Sequence, residues 1–146
     1  IAPSAHASLR SAFEQLGFTV VVDPYLQRYA GVFSTRNHKI TVKNTDTSIY
    51  HELGHFLSLV ARNYCNTAEF KDIYNSEKDK YVGNIKSYAI STSSEYFAES
   101  YRDYLLNNNG LRSSRPRTYA AIQKCLGMVN ATNIQWVRNS YGWIWN

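Results

Sequence analysis

Ser48-Ile49-Tyr50-His51-Glu52-Leu53-Gly54-His55-Phe56-Leu57 is the stretch that decides how this chain reads. On an α-helix, residues four apart share a face, so His51 and His55 can aim both imidazoles at one metal ion. Glu52 sits beside them, placed to take a proton from a metal-activated water rather than to bind the metal itself. Asn44 to Thr47 supply N-cap chemistry, and the spacing predicts one long helix over Ile49 to Tyr64, its apolar side extended by Leu57, Val60 and Ala61. Gly54 costs that helix about 1 kcal/mol relative to Ala, so its presence there predicts close packing against that turn.

Upstream, Leu9, Ala12, Phe13 and Leu16 recur at helical spacing and predict a helix from Ser4 to Gly17. The β-branched run Phe18 to Val22, bounded by Asp23-Pro24, predicts a strand, whereas Tyr25 to Tyr29 reads as a turn of helix or a loop. Gly31-Val32-Phe33 and Lys39-Ile40-Thr41-Val42 form a hairpin about Thr35 to His38. Lys39 to Val42, just before the metal helix, is a candidate edge for an added substrate strand and equally an ordinary hairpin strand.

Downstream, a short helix is expected over Phe70 to Tyr74, then a polar loop from Asn75 to Asn84. A second long helix follows over Ser93 to Leu106, stopped by Asn107-Asn108-Asn109-Gly110. Arg112 to Arg117 reads as a basic loop, Thr118 to Leu126 as a helix halted at Gly127, and Ile134 to Asn146 as an aromatic tail suited to core packing. The pattern is α+β: a small, mainly antiparallel sheet, an active-site helix and a second ligand-bearing helix, in one domain spanning 1–146.

The chain has 146 residues, 44% hydrophobic and 18% charged, with a net charge of +5. That composition is globular rather than disordered and long enough for a core. The positive charge suits an acidic partner, yet no nucleic-acid motif accompanies it, so no nucleic-acid partner is expected. Arg112, Arg115, Arg117 and Lys124 read as a solvated face or an anion-binding cluster. No apolar run approaches the roughly 20 residues of a membrane span. Ile1-Ala2-Pro3-Ser4, with neither initiating Met nor signal peptide, reads as the start of a processed or excised domain. Cys65 and Cys125 could pair or remain thiols, and His6 and His38 read as surface or turn residues. Asn130-Ala131-Thr132 matches a glycosylation sequon.

A catalytic zinc site takes three protein ligands and keeps one position open. An extended three-histidine site would place Gly at 58 and His at 61; the chain has Ser58 and Ala61, which excludes it. The remaining source is Ser94-Glu95-Tyr96-Phe97-Ala98-Glu99-Ser100, whose two carboxylates lie four apart on one helix face. Like charges at that spacing repel, which calls for positive charge opposite them. One Glu would bind the metal and the other would fix a ligand imidazole by hydrogen bonding; position alone does not say which. Glu95 also fits a capping box with Thr92, a reading that leaves Glu99 unexplained.

Ser87-Tyr88, followed after six residues by Glu95-Tyr96-Phe97-Ala98-Glu99-Ser100-Tyr101-Arg102, resembles the catalytic domain of anthrax lethal factor and, equally, the secreted Pro-Pro endopeptidases. Both carry His-Glu-x-x-His and a Tyr seven residues before a similar acidic helix, and Pro116-Arg117-Thr118-Tyr119 extends the similarity. The resemblance implies a zincin-type fold with Zn2+ as cofactor. It makes Glu95 the third ligand, Glu99 a carboxylate holding a ligand histidine, and Tyr88 a catalytic phenol. It further implies a monomeric endopeptidase acting on a protein or peptide, secreted or delivered into a target cell as a toxin domain. Two alternatives stand beside that reading: a Pro-Pro-specific secreted endopeptidase, and a non-catalytic zinc-binding interaction module on the same scaffold. Tyr96 replaces the family's first Phe, and the region before His51 has no match to specificity loops of the Pro-Pro enzymes.

Overall fold

Alternation of β-branched residues with turn signals builds three short strands near the N-terminus, and amphipathic periodicity builds the helices that cover them. A computed structural model describes residues 2–83 and 85–145. Its strands are β1 (Thr19–Val22), β2 (Gly31–Ser34) and β3 (Lys39–Val42). Its helices are α1 (Ala7–Gln15), α2 (Ser48–Val60), α3 (Ala68–Glu77), α4 (Lys86–Ala89), α5 (Ser93–Leu106), α6 (Asn108–Ser114), α7 (Pro116–Gly127) and α8 (Ala131–Trp145). The architecture is α+β. The sheet is mixed: β3 pairs parallel with β1 (Thr19 opposite Lys39) and antiparallel with β2 (Gly31 opposite Val42).

The hairpin forms as its turn residues dictate, but its second strand is not an edge. With the order β1-β3-β2, Lys39 to Val42 is flanked on both sides, and Ile40 and Val42 are fully buried. The strand that lies beside α2 and keeps a free edge is β2. Helix α1 starts at Ala7, not Ser4, because His6 is extended at its N-cap, and it buries Leu9, Ala12 and Phe13.

Helix α2 is anchored by Asp46, whose Oδ1 accepts from the Ser48 N–H at 2.9 Å and its hydroxyl at 2.6 Å. It ends at Val60 rather than Tyr64, because Arg62 and Asn63 adopt left-handed backbone (φ 59° and 58°). Tyr64 instead opens a 3-10 turn over Tyr64–Asn66. Helix α5 has the expected bounds. Thr92 Oγ1 accepts from the Glu95 N–H at 3.0 Å, so Thr92 does cap it. Its buried face, Tyr96 to Tyr101, packs on α2, and Phe97 also meets the Phe70 ring edge-on at 5.2 Å.

The downstream loops are more helical than their composition predicts. Asn75 to Glu77 continue α3, and the buried Glu77 carboxylate accepts from the Arg117 N–H at 3.0 Å and the Thr118 N–H at 2.7 Å, capping α7. Asn84, the end of the expected polar loop, and Asn146, the end of the tail, lie outside the described residues. Arg112 falls within α6, and Pro116 begins α7, where its missing N–H is harmless. The aromatic tail is α8, with Trp136, Tyr141 and Trp145 packed on the core and Trp143 exposed. Cys65 and Cys125 are buried free thiols. No helix among the described residues is long and apolar enough to cross a membrane.

The tightest point of the α2–α5 contact is Gly54. A Cβ there would lie 2.7 Å from Ala98 Cα and 2.8 Å from its carbonyl oxygen. On an open helix Gly→Ala stabilises by about 1 kcal/mol. Here the clash is with backbone, so Gly54→Ala is expected to destabilise by about 2 kcal/mol, as overpacked cores do, measured as a lower urea midpoint at unchanged slope.

Candidate metal centre

The four-residue spacing on α2 faces the four-residue spacing on α5. His51 and His55 stand with ring centroids 5.0 Å apart and planes at 79°. Glu95 reaches both: one carboxylate oxygen lies 3.2 Å from His51 Nε2 and the other 3.1 Å from His55 Nε2. Behind them, Glu99 Oε2 lies 2.7 Å from His51 Nδ1, and Ser94 Oγ lies 3.3 Å from His55 Nδ1. Each imidazole thus turns Nε2 toward Glu95 and Nδ1 toward a separate holder. With the Nδ1 proton donated to that holder, Nε2 keeps its lone pair for a metal.

This donor set fits a divalent ion. One Glu95 oxygen stands 3.2 Å from His51 Nε2 and the other 3.1 Å from His55 Nε2, so the carboxylate spans two imidazoles of the kind that bind zinc. Glu52 competes for the third position, since its carboxylate also comes within 4.8 Å of the imidazole nitrogens. Its surroundings favour another role. Its carboxyl lies 3.0 Å from where a Gly31 Cβ would be. Glu52 is thereby held against β2, whereas Glu95 bridges both rings.

Electrostatics separate the carboxylates. Burial pushes Glu52 above the usual carboxylate range, outweighing the neighbouring imidazoles. Burial acts the same way on Glu95, but hydrogen bonds to His51, His55 and Tyr88 overcome it and hold Glu95 far below that range. Glu99 is likewise lowered, burial being overcome by the His51 hydrogen bond and charge and by Arg102. Burial pulls His51 down, yet hydrogen bonds to Glu95 and Glu99 and the charge of Glu52 lift it to about 9. Three carboxylates converge here, and the His51 imidazole and Arg102 supply positive charge opposite them.

Tyr88 lies on α4, its ring 6.2 Å from that of His51 and its side chain half-exposed. Burial and the Glu95 carboxylate push its phenol well above the usual tyrosine value, so it remains a donor. A cleft runs past the centre as two cavities of about 220 and 470 Å3, which share Tyr29, Gly31, Glu52 and Tyr88. The structure brings together the six residues that the sequence singles out, His51, Glu52, His55, Tyr88, Glu95 and Glu99. The sequence reading misses Tyr29, which sits in a segment without periodicity. It also misses Ser94 and Arg102. Ser94 was discoverable as a hydroxyl next to a candidate ligand, and Arg102, 3.5 Å from Glu99, as an i,i+3 pair. The expected basic loop is helical, and of its cations Arg112, Arg117 and Lys124 do lie on a solvated face, Arg117 paired with Asp72 (2.8 Å) and Lys124 with Glu69 (2.8 Å), whereas Arg115 is buried against Asp103 (2.6 Å).

A family model described as anthrax toxin lethal factor, N- and C-terminal domain, matches residues 26–125, a stretch that contains every member of the cluster. No curated protein matches the chain.

If Glu95 is the ligand and Glu99 the holder, zinc affinity measured by competition with a chromophoric chelator falls by more than about 100-fold in Glu95→Gln and only about tenfold in Glu99→Gln. The reverse order would exchange the two assignments.

Proposed function

The chain belongs to the anthrax toxin lethal factor family, and from that premise we propose that it is a zinc-dependent endopeptidase that hydrolyses a protein or peptide substrate. One observation carries the reading: Glu95 contacts both imidazoles while Glu52 stands beside them, packed against Gly31 of β2. A purely structural site has no use for the second arrangement, because it needs no general base.

His51, His55 and Glu95 would hold the zinc, with Glu99 and Ser94 fixing the two rings. The metal would act as a Lewis acid, polarising the scissile carbonyl and lowering the pKa of a water from 15.7 to about 7. Glu52 accepts a proton from the attacking water and delivers it to the departing amine. Burial suits Glu52 to that exchange, since a carboxylate raised above its usual range is the better base. Tyr88, un-ionised, donates its hydroxyl proton as a hydrogen bond to the oxygen on which negative charge develops. The substrate lies in the cleft along β2, whose free edge offers backbone groups to an extended peptide. Membership in a toxin family supports action outside the producing cell or after delivery into a target cell.

Glu52→Gln should retain zinc at wild-type stoichiometry and lose peptide cleavage, which metal analysis and a quenched-fluorescence peptide assay would read together; retained cleavage would remove Glu52 from the mechanism. Tyr88→Phe should lower kcat by about a hundredfold with KM little changed. Chelation should abolish cleavage and added zinc restore it. A peptide-library profile would show at once whether the cut falls between prolines.

A further inference from the structure

The two cavities flanking the centre differ in charge. The larger, about 470 Å3, is walled by Val32, Phe33, Ser94 and Glu95 besides the shared residues, and no Lys or Arg lines it. The smaller, about 220 Å3, has both Arg28 and Arg102 in its wall together with the apolar Ile85. It also touches His51, Glu52 and Tyr88, so a side chain entering it belongs to a residue at or next to the scissile bond.

The two cations are not equally committed. Arg102 is fixed, donating to Thr47 Oγ1 at 2.5 Å and lying 3.5 Å from Glu99 Oε1. Glu99 is answered twice, by Arg102 and by the His51 ring at 2.7 Å. Arg28 is exposed and makes no ion pair among the described residues. A guanidinium is a planar fork of donors suited to a carboxylate. Beside an aromatic and apolar wall it is matched by a short anionic side chain rather than by a long cation.

We propose that the smaller cavity is a specificity subsite that receives a substrate carboxylate, with Arg28 as its principal recognition residue and Arg102 as a fixed supporting charge. The carboxylate is that of an Asp or Glu beside the scissile bond or that of the substrate's own C-terminus. The site's role in cleavage rests on the peptidase reading; its preference for an anion does not.

The test uses the whole zinc-loaded chain and peptides identical except for Glu, Gln or Lys at each position flanking the cut, each made with a free and with an amidated C-terminus. Calorimetric binding and kcat/KM are measured for wild type, Arg28→Ala and Arg28→Glu. Arg28 lies on the surface, so both variants should fold, as circular dichroism would verify, and within each variant the Gln peptide serves as the charge-neutral reference. At one flanking position, on one side of the cut only, the Glu peptide should be favoured over Lys by about tenfold. Arg28→Ala should erase the difference and Arg28→Glu reverse it. A preference that survives amidation identifies an acidic side chain, and one that follows the free terminus identifies the chain end; either supports the subsite. Equal binding of Glu and Lys peptides at every position, or a preference untouched by Arg28→Glu, overturns it. Charge-selective binding at this site without any cleavage supports the subsite while refuting the peptidase reading.

Discussion

Gly54 and Ala98 let two helices touch through their backbones, and the site depends on that contact. Each helix carries its functional residues in an i,i+4 pair, His51 and His55 on α2, Glu95 and Glu99 on α5. The small residues Gly54 and Ala98 fall inside those pairs. With a prospective Cβ only 2.7 Å from the opposing Cα, the helices stand as close as the chain permits. Hydrogen bonds tolerate errors of a few tenths of an ångström, so a contact that fixes the helix separation also fixes the His51–Glu99 distance of 2.7 Å and the two Glu95 distances. Helix propensity is given up at residue 54 to gain that separation.

The same closeness creates an electrostatic problem. Glu52, Glu95 and Glu99 converge in a largely buried space, and carboxylates four apart on α5 repel. The protein resolves this unevenly. Glu95 and Glu99 are bound to imidazoles and held ionised, Glu99 with Arg102 as well, while Glu52, pressed to β2, is pushed the other way. Identical side chains with oppositely displaced affinities for protons suit the different duties proposed for them, two anions that anchor and one that exchanges. The lift of His51 to about 9 expresses the same demand for positive charge at the point where three donors meet.

Much of this was legible from spacing. The helical faces of α2 and α5, the hairpin and five of the six clustered residues follow from periods of 3.6 and 2, and Gly54 announced the close contact. Strand pairing did not: periodicity says that Lys39 to Val42 is a strand but not that β1 returns parallel to its far side, which removes it as an edge. The four-residue α4 is too short for a period, so Tyr88 stood out only by resemblance. Asn107 to Gly110 was read as a stop because Asn and Gly end helices; α5 does end there, but α6 begins at once at Asn108. Arg112, Arg117 and Lys124 face solvent as expected, but the burial of Arg115 was not legible, because sequence shows a cation without the acid, Asp103, that folds against it.

The arrangement divides labour between rigid and exposed parts. The imidazoles and the Glu95 and Glu99 carboxylates project from long, packed helices, where side chains are held by neighbours on several sides. Arg28, Tyr29 and Ile85 project from loops, and Tyr88 from a single helical turn; all of Tyr29, Ile85 and Tyr88 are substantially exposed. In the proposed peptidase, chemistry that needs geometry accurate to tenths of an ångström would sit on the first set, and contacts that only select a substrate on the second. Tyr88 belongs to both. It reaches the centre from a surface turn, tethered by its interaction with Glu95. In the peptidase proposed above, a substrate oxygen seated in the cleft would compete with Glu95 for the single Tyr88 hydroxyl proton.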